Sequence, residues 1–266
     1  MIARRAILVC AALVCAALVG LGAATVAPAR EAELDLELVL AIDVSRSMDD
    51  EELELQRQGY AGAFLHPAIV AAIRGGAQGR IAVTMVEWAG SHHQRVIVPW
   101  TVIRDEESSA AFADAILAAP KLSFNWTSIS GAIDFSRSLF GAGGQRGARR
   151  VIDISGDGAN NNGRPASQAR DEAVALGITI NGLAIVNDRP TPGGWRRFDQ
   201  QPVDQHYRDH VIGGPGAFLM VAEDFDSFAF AIRNKLMREI AGTHGPATMV
   251  ARGGRAAEQE PTDPGR

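Results

Sequence analysis

Past residue 29 the chain contains no cysteine, because Cys10 and Cys15 both fall in its apolar N-terminal stretch. A processed protein of this sequence has no disulfide framework, no thiol nucleophile and no cysteine metal site. It also lacks a basic cluster. With Arg4 and Arg5 removed, 24 basic residues stand against 31 acidic ones, a formal charge of −7. Nucleic acid is excluded as a natural partner on that ground. Neither a Gly-x-Ser-x-Gly elbow nor a Gly-x-x-x-x-Gly-Lys phosphate loop occurs, which removes the commonest hydrolase and nucleotide-binding signatures. After the N-terminal stretch, no run is long and apolar enough to span a bilayer.

That first stretch has a basic start, Met1 to Arg5, an apolar run from Ala6 to about Ala24, and the small-residue site Ala27-Pro28-Ala29. It reads as a secretory signal peptide over 1–29, so the product is expected in the periplasm or outside the cell. A domain over 30–243 follows, and from Gly242 the Gly, Pro, Ala and Glu content reads as a disordered tail over 244–266.

Within the domain, apolar runs alternate with amphipathic patterns. Leu38 to Ile42 is a continuous apolar run, as in a strand buried on both faces of a parallel sheet. The alternation of acid and leucine from Glu33 to Leu38 predicts that the entry to this strand has one wet face. Further strands are expected at Ile81–Val86, Arg95–Val102, Arg150–Ser155, Ile178–Val186 and Ala217–Val221; Pro99 puts the second of these at an edge. Helices are expected after Asp49, around Phe112–Leu117, over Ser128–Leu139, over Ala166–Leu176, and through Phe225, Phe228, Ala229, Ile232, Leu236 and Ile240. Asp49 and Glu52 have the spacing of a capping box. Asn187 to Gly216 reads as a long irregular loop. The order predicts an α/β fold: a doubly wound, mainly parallel sheet of about six strands with helices on both faces.

The polar turn Asp43-Val44-Ser45-Arg46-Ser47 closes the first buried run. In open α/β sheets the carboxyl edge of a central strand is where ligands bind. One carboxylate and two hydroxyls at alternate positions form an oxygen-only set, suited to a hard cation such as Mg2+ rather than to zinc or copper. Thr127, at a helix start, and Asp157, just past a strand end, belong to the same edge.

These residues resemble the von Willebrand factor A (vWA) domain, whose metal-ion-dependent adhesion site has the pattern Asp-x-Ser-x-Ser with a distant Thr and a distant Asp. The matches are Asp43, Ser45, Ser47, Thr127 and Asp157. The usual Thr-Asp-Gly around the last acid is Gly156-Asp157-Gly158 here, which removes a hydroxyl. The resemblance is to an exported bacterial branch of that superfamily. It implies that Ser45, Ser47 and Thr127 supply hydroxyl oxygens to Mg2+, or to Mn2+ or Ca2+, with Asp43 and Asp157 acting mostly through metal-bound water. An Asp or Glu of a partner protein would then complete the coordination. Two alternatives remain at this point: a Mg2+-dependent phosphoester hydrolase, and a metal-free structural module.

Other residues invite chemistry less strongly. Asp153, mid-strand, is expected to be a satisfied buried acid. Trp126 and Asn160-Asn161-Asn162 are expected to flank the site, either as turn residues or as partner contacts. His92 and His93 are expected on a solvated hairpin away from the acids. His206 and His210, four apart, can share a helix face, but no Glu completes a His-Glu-x-x-His zinc motif.

Overall fold

A computed structural model describes residues 33–142, 144, 146–186, 201–223, 227–242 and 248–251. Seven strands form one sheet: β1 Leu36–Asp43, β2 Ile81–Trp88, β3 Gln94–Ile103, β4 Arg150–Gly156, β5 Thr179–Ile185, β6 Leu219–Ala222 and β7 Thr248–Ala251. Their spatial order is β3-β2-β1-β4-β5-β6-β7, and every neighbouring pair is parallel except β2–β3. The helices are α1 Asp50–Phe64, α2 Pro67–Arg74, α3 Glu106–Ala118, α4 Ile129–Leu139, α5 Ala166–Ala175, α6 Val203–His206 and α7 Phe228–Ala241. A single π-helical turn, Tyr207–Val211, continues α6.

Each face of the sheet carries its own core, because side chains alternate along a strand. Leu36, Leu38, Leu40 and Ile42 point to the face covered by Tyr60, Phe64, Phe112, Phe228, Ile232 and Leu236. Val39, Ala41, Ile152 and Ile154 point to the other, against Ile129, Ile133, Ala169, Ala173 and Tyr207. Each fully buried Leu or Ile contributes about 1.5–3 kcal/mol, so this double burial stabilises the apolar strand run.

The chain leaves β1 to build β2 and β3 on one side, then crosses back to place β4 on the other. The β1–β4 junction is therefore the topological switch point, where the loops after the two strands diverge and leave a crevice. Asp43 ends β1 and Asp157 follows β4.

Several expectations need correction. The sheet has seven strands, not about six, and the extra one lies inside the segment expected to be a disordered tail. Thr248–Ala251 has only four residues, too few to show a period, and pairs along β6. The rest of that tail, the 1–29 leader and Phe225 lie outside the described residues. The wet face expected at the entry to β1 is present at exposed Glu33 and half-buried Asp35 but stops before Glu37. Glu37 is buried because β1 is flanked by β2 and β4 and covered on both sides, and its Oε1 accepts from Gly147 N at 2.5 Å. A second helix not expected from the sequence begins at Pro67, with His66 as N-cap accepting from Ala68 N at 3.2 Å. Ala229 and Leu117 face solvent; Ala231 is the buried residue on α7. In the segment expected as a loop, residues 187–200 are outside the described set, but 203–211 are helical. The edge position of β3 and the capping box of Asp49 and Glu52 are as expected.

Asp153 is a buried acid whose Oδ1 is ion-paired from α7, while its Oδ2 has no hydrogen-bond partner. Lys235 Nζ lies 2.7 Å from Asp153 Oδ1 and 2.5 Å from Glu239 Oε1. Asn181 Nδ2 donates to the same Glu239 oxygen at 2.9 Å.

Candidate metal centre

The turn after β1 is folded by its own side chains. Asp43 Oδ1 accepts from Ser45 N at 2.7 Å, a local bond that Asp makes readily two residues on. Met48 N then bonds Ser45 O, and Asp49 caps α1. Ser45 Oγ and Ser47 Oγ are 2.8 Å apart, and Ser47 Oγ donates to Asp157 Oδ1 at 2.7 Å. Asp43 and Ser45 are buried, while Ser47 is exposed. One continuous chain of oxygens thus runs from the end of β1 to the loop after β4.

Thr127 is brought in by the three asparagines. Asn161 Oδ1 accepts from Thr127 N at 2.8 Å, while Asn161 N and Asn162 N both donate to Thr127 O. Asn160 Oδ1 accepts from Ser130 N at 3.1 Å, and Asn162 Oδ1 from Ser91 N at 2.7 Å. Their amide side chains therefore staple three loops together. A Cβ on Gly158 would stand 3.6 Å from Thr127 Oγ1, so that hydroxyl sits beside the residue following Asp157. To reach Asn161 the backbone turns sharply at Trp126, whose φ of 72° makes it the one positive-φ non-glycine among the described residues. Such a conformation persists only where its surroundings enforce it.

The electrostatics favour a cation. Burial, then the nearby Asp157 carboxylate, push Asp43 well above the ordinary carboxylate range. Burial and the Glu52 carboxylate push Asp157 up to about 6, against the pull of its Ser47 bond. Among the described residues no Lys or Arg forms an ion pair with either acid, and Asp43 Oδ2 is buried without a hydrogen-bond partner. Two desolvated carboxylates beside three hydroxyls fit a hard divalent ion. No trio of His, Cys, Asp and Glu side chains gathers among the described residues, so a site here is a hydroxyl-rich one.

His93 falls differently from expectation, whereas His206 and His210 share a face as expected. The His93 ring stacks on Phe124 at 3.4 Å between centroids, and Phe124 bridges to Ser45, so His93 is close to the site's edge. His206 and His210 have rings 5.0 Å apart, and His206 Nε2 accepts from Asn160 N at 3.2 Å. That bond ties the α6 turn to the asparagine loop, a tie that distant sequence positions give no means of seeing.

Solved structures share this architecture. BatB from Bacteroides thetaiotaomicron superposes with a TM-score of 0.52 at 20% identity, over 78% of this chain and 100% of that one. A von Willebrand factor type A protein from Catenulispora acidiphila gives 0.51 at 16%, over 78% of this chain but only 43% of that one. Proximal thread matrix protein 1 from the mussel byssus, described with a zinc-occupied MIDAS motif, gives 0.56 at 13%, over 80% and 50%. At these identities the likeness concerns the fold. No curated protein matches the chain. The family model described as "Protein of unknown function (DUF1194)" matches residues 33–244. This chain belongs to that family, and its fold is that of the von Willebrand factor A domain.

Proposed function

We propose that the protein is an exported, non-enzymatic binding module that recruits a partner's Asp or Glu through a divalent cation, Mg2+ in the first instance. Asp43, Ser45, Ser47, Thr127 and Asp157 would hold the ion. The observation that carries this reading is the pair of desolvated acids, linked through Ser45 and Ser47 and without a cationic side chain of their own. A bound ion would supply positive charge and an open position for an incoming carboxylate. Neutral hydroxyls from Ser45, Ser47 and Thr127 leave that charge largely unneutralised.

The rim suits an acidic partner segment with an apolar neighbour. Trp126, next to Thr127, is 64% exposed. Exposed tryptophans beside a binding site are favoured as contact anchors. Arg46, between the two serines, is exposed and has no ion pair with any described carboxylate. It can take a second negative charge from the partner.

Calorimetry and thermal melts of the wild type and Asp43→Ala, each with Mg2+ and with EDTA, test the reading. Mg2+ at a hundred times its Kd stabilises the wild type by about 2.7 kcal/mol; Asp43→Ala removes that gain. Identical melting in all four samples rejects the metal. Metal binding without Mg2+-dependent capture of Asp- and Glu-bearing peptides rejects the partner half of the proposal.

A further inference from the structure

Residues 201–213 form a clamp beside the metal centre. Ile180 N donates to Gly213 O at 2.8 Å and Gly213 N returns the bond at 3.1 Å. Arg170 Nη1 of α5 donates to Asp209 O at 3.0 Å. Between these anchors the π-helical turn drives Tyr207 and Val211 into the core, both fully buried. Such turns recur at functional sites because they re-aim a side chain.

Two glycines open the slot that Tyr207 occupies. A Cβ on Gly182 would lie 2.8 Å from Tyr207 Cδ1, and one on Gly156 would lie 2.8 Å from the Tyr207 hydroxyl. The same Cβ on Gly156 would lie 2.8 Å from Asp43 Oδ2. The ring therefore lies across β5 and β4, and its hydroxyl and the Asp43 oxygen meet over Gly156. Neither atom has a hydrogen-bond partner, although both stand over the same glycine. One is an O–H donor and the other belongs to a carboxylate, which only accepts when ionised. Gly156 stands where the vWA pattern carries a threonine, so the position that loses a hydroxyl is the one that admits Tyr207.

We infer that Tyr207 is a positioning residue of the metal centre, its hydroxyl serving the Asp43 oxygen that Ser45 leaves free. The inference rests on the metal-binding reading above. With Oδ1 held by Ser45 N and the Tyr207 hydroxyl standing beside Oδ2 over Gly156, the carboxylate is confined on both sides before an ion arrives. The His206 bond to Asn160, one residue earlier, sets the loop after Asp157 from the same turn. A segment outside the five-residue motif thus shapes both of its acids.

Titration calorimetry of the full chain with MgCl2 and with CaCl2, wild type against Tyr207→Phe, tests this. Phe fills the slot and removes only the hydroxyl. Loss of an outer-shell bond of this kind weakens metal binding by about 10–100-fold. Mg2+ demands strict octahedral geometry whereas Ca2+ tolerates distortion, so the loss should be larger for Mg2+. Equal affinity of the variant and wild type for Mg2+ overturns the role of Tyr207 and leaves the metal site standing. An equal loss for both ions also overturns it, since that is the mark of general loosening. If the wild type itself binds neither ion, the metal reading fails and this role fails with it.

Discussion

Replacing Lys235 with methionine should destabilise the fold by an amount that grows with pH. The lysine is fully buried, and so are Asp153 and Glu239, the two carboxylates it bridges. The groups packed around it are Asp153 of β4, Asn181 of β5, the Phe218 ring before β6, and Glu239 of its own helix. Burial, then the Glu239 carboxylate, raise Asp153 to about 7 against the pull of Lys235. The native state thus holds a proton that the unfolded chain releases near pH 4. Stability from this group is full below that value and is lost as pH rises toward 7, by up to about 1.4 kcal/mol per pH unit. Methionine fills nearly the same volume but leaves two buried acids without their cation. Breaking a buried pair in this way costs about 3–5 kcal/mol, a large share of the roughly 5–15 kcal/mol that holds a domain together. At pH 8 the full cost is expected; at pH 5, where Asp153 is already protonated, only the Glu239 half remains unpaired and the loss is smaller. Urea unfolding at both pH values, followed by tryptophan fluorescence, measures the difference. Adding Asp153→Asn to the methionine variant should recover stability at pH 8. An equal loss at the two pH values, or a loss below about 1 kcal/mol at pH 8, would refute the reasoning about a paired buried charge.

Other outcomes follow from the metal centre. Asn161→Ala leaves Thr127 N without its acceptor, so stability should fall by about 1–3 kcal/mol and Mg2+ affinity should fall with it; an unchanged Kd would show that Thr127 is placed by something else. Trp126→Ala should leave Mg2+ binding intact while weakening capture of acidic peptides, by about 2 kcal/mol or more if the ring is an anchor, as read by fluorescence anisotropy of labelled peptides. Because ligation needs ionised acids, and burial raises Asp157 to about 6 with Asp43 also raised, Mg2+ affinity should drop as pH falls through 6. Proton release on Mg2+ addition near pH 6, measured in buffers of different ionisation enthalpy, checks the sign. Gly182→Ala should displace Tyr207 and lower the melting temperature, whereas Gly62→Ala, where an added Cβ meets nothing within 4 Å, should not.

Sequence by itself determined whatever depends on neighbours along the chain. The apolar run of β1, the capping box at Asp49, the proline on an edge strand and the order of the first six strands were all legible, because propensity, capping and period are local properties. The Asp43-x-Ser45-x-Ser47 turn was legible too, since its folding bond spans two residues. Only the tertiary structure decided which distant side chains meet it. Glu37 looked like a wet-face residue until β2 and β4 enclosed its strand, and the cation that pairs with Asp153 arrives from α7, far along the chain. The asparagine run could be read as turn residues or as partner contacts, and its bonds to Thr127, Ser130 and Ser91 need those residues to arrive from other loops. Tyr207 is the clearest case. Its hydroxyl stands beside Asp43 because Gly182 of β5, opposite Ile154, and Gly156, two residues further along β4, both lie beneath one π-helical turn. Register between strands is set by the packing of the whole sheet, which no local stretch of sequence encodes.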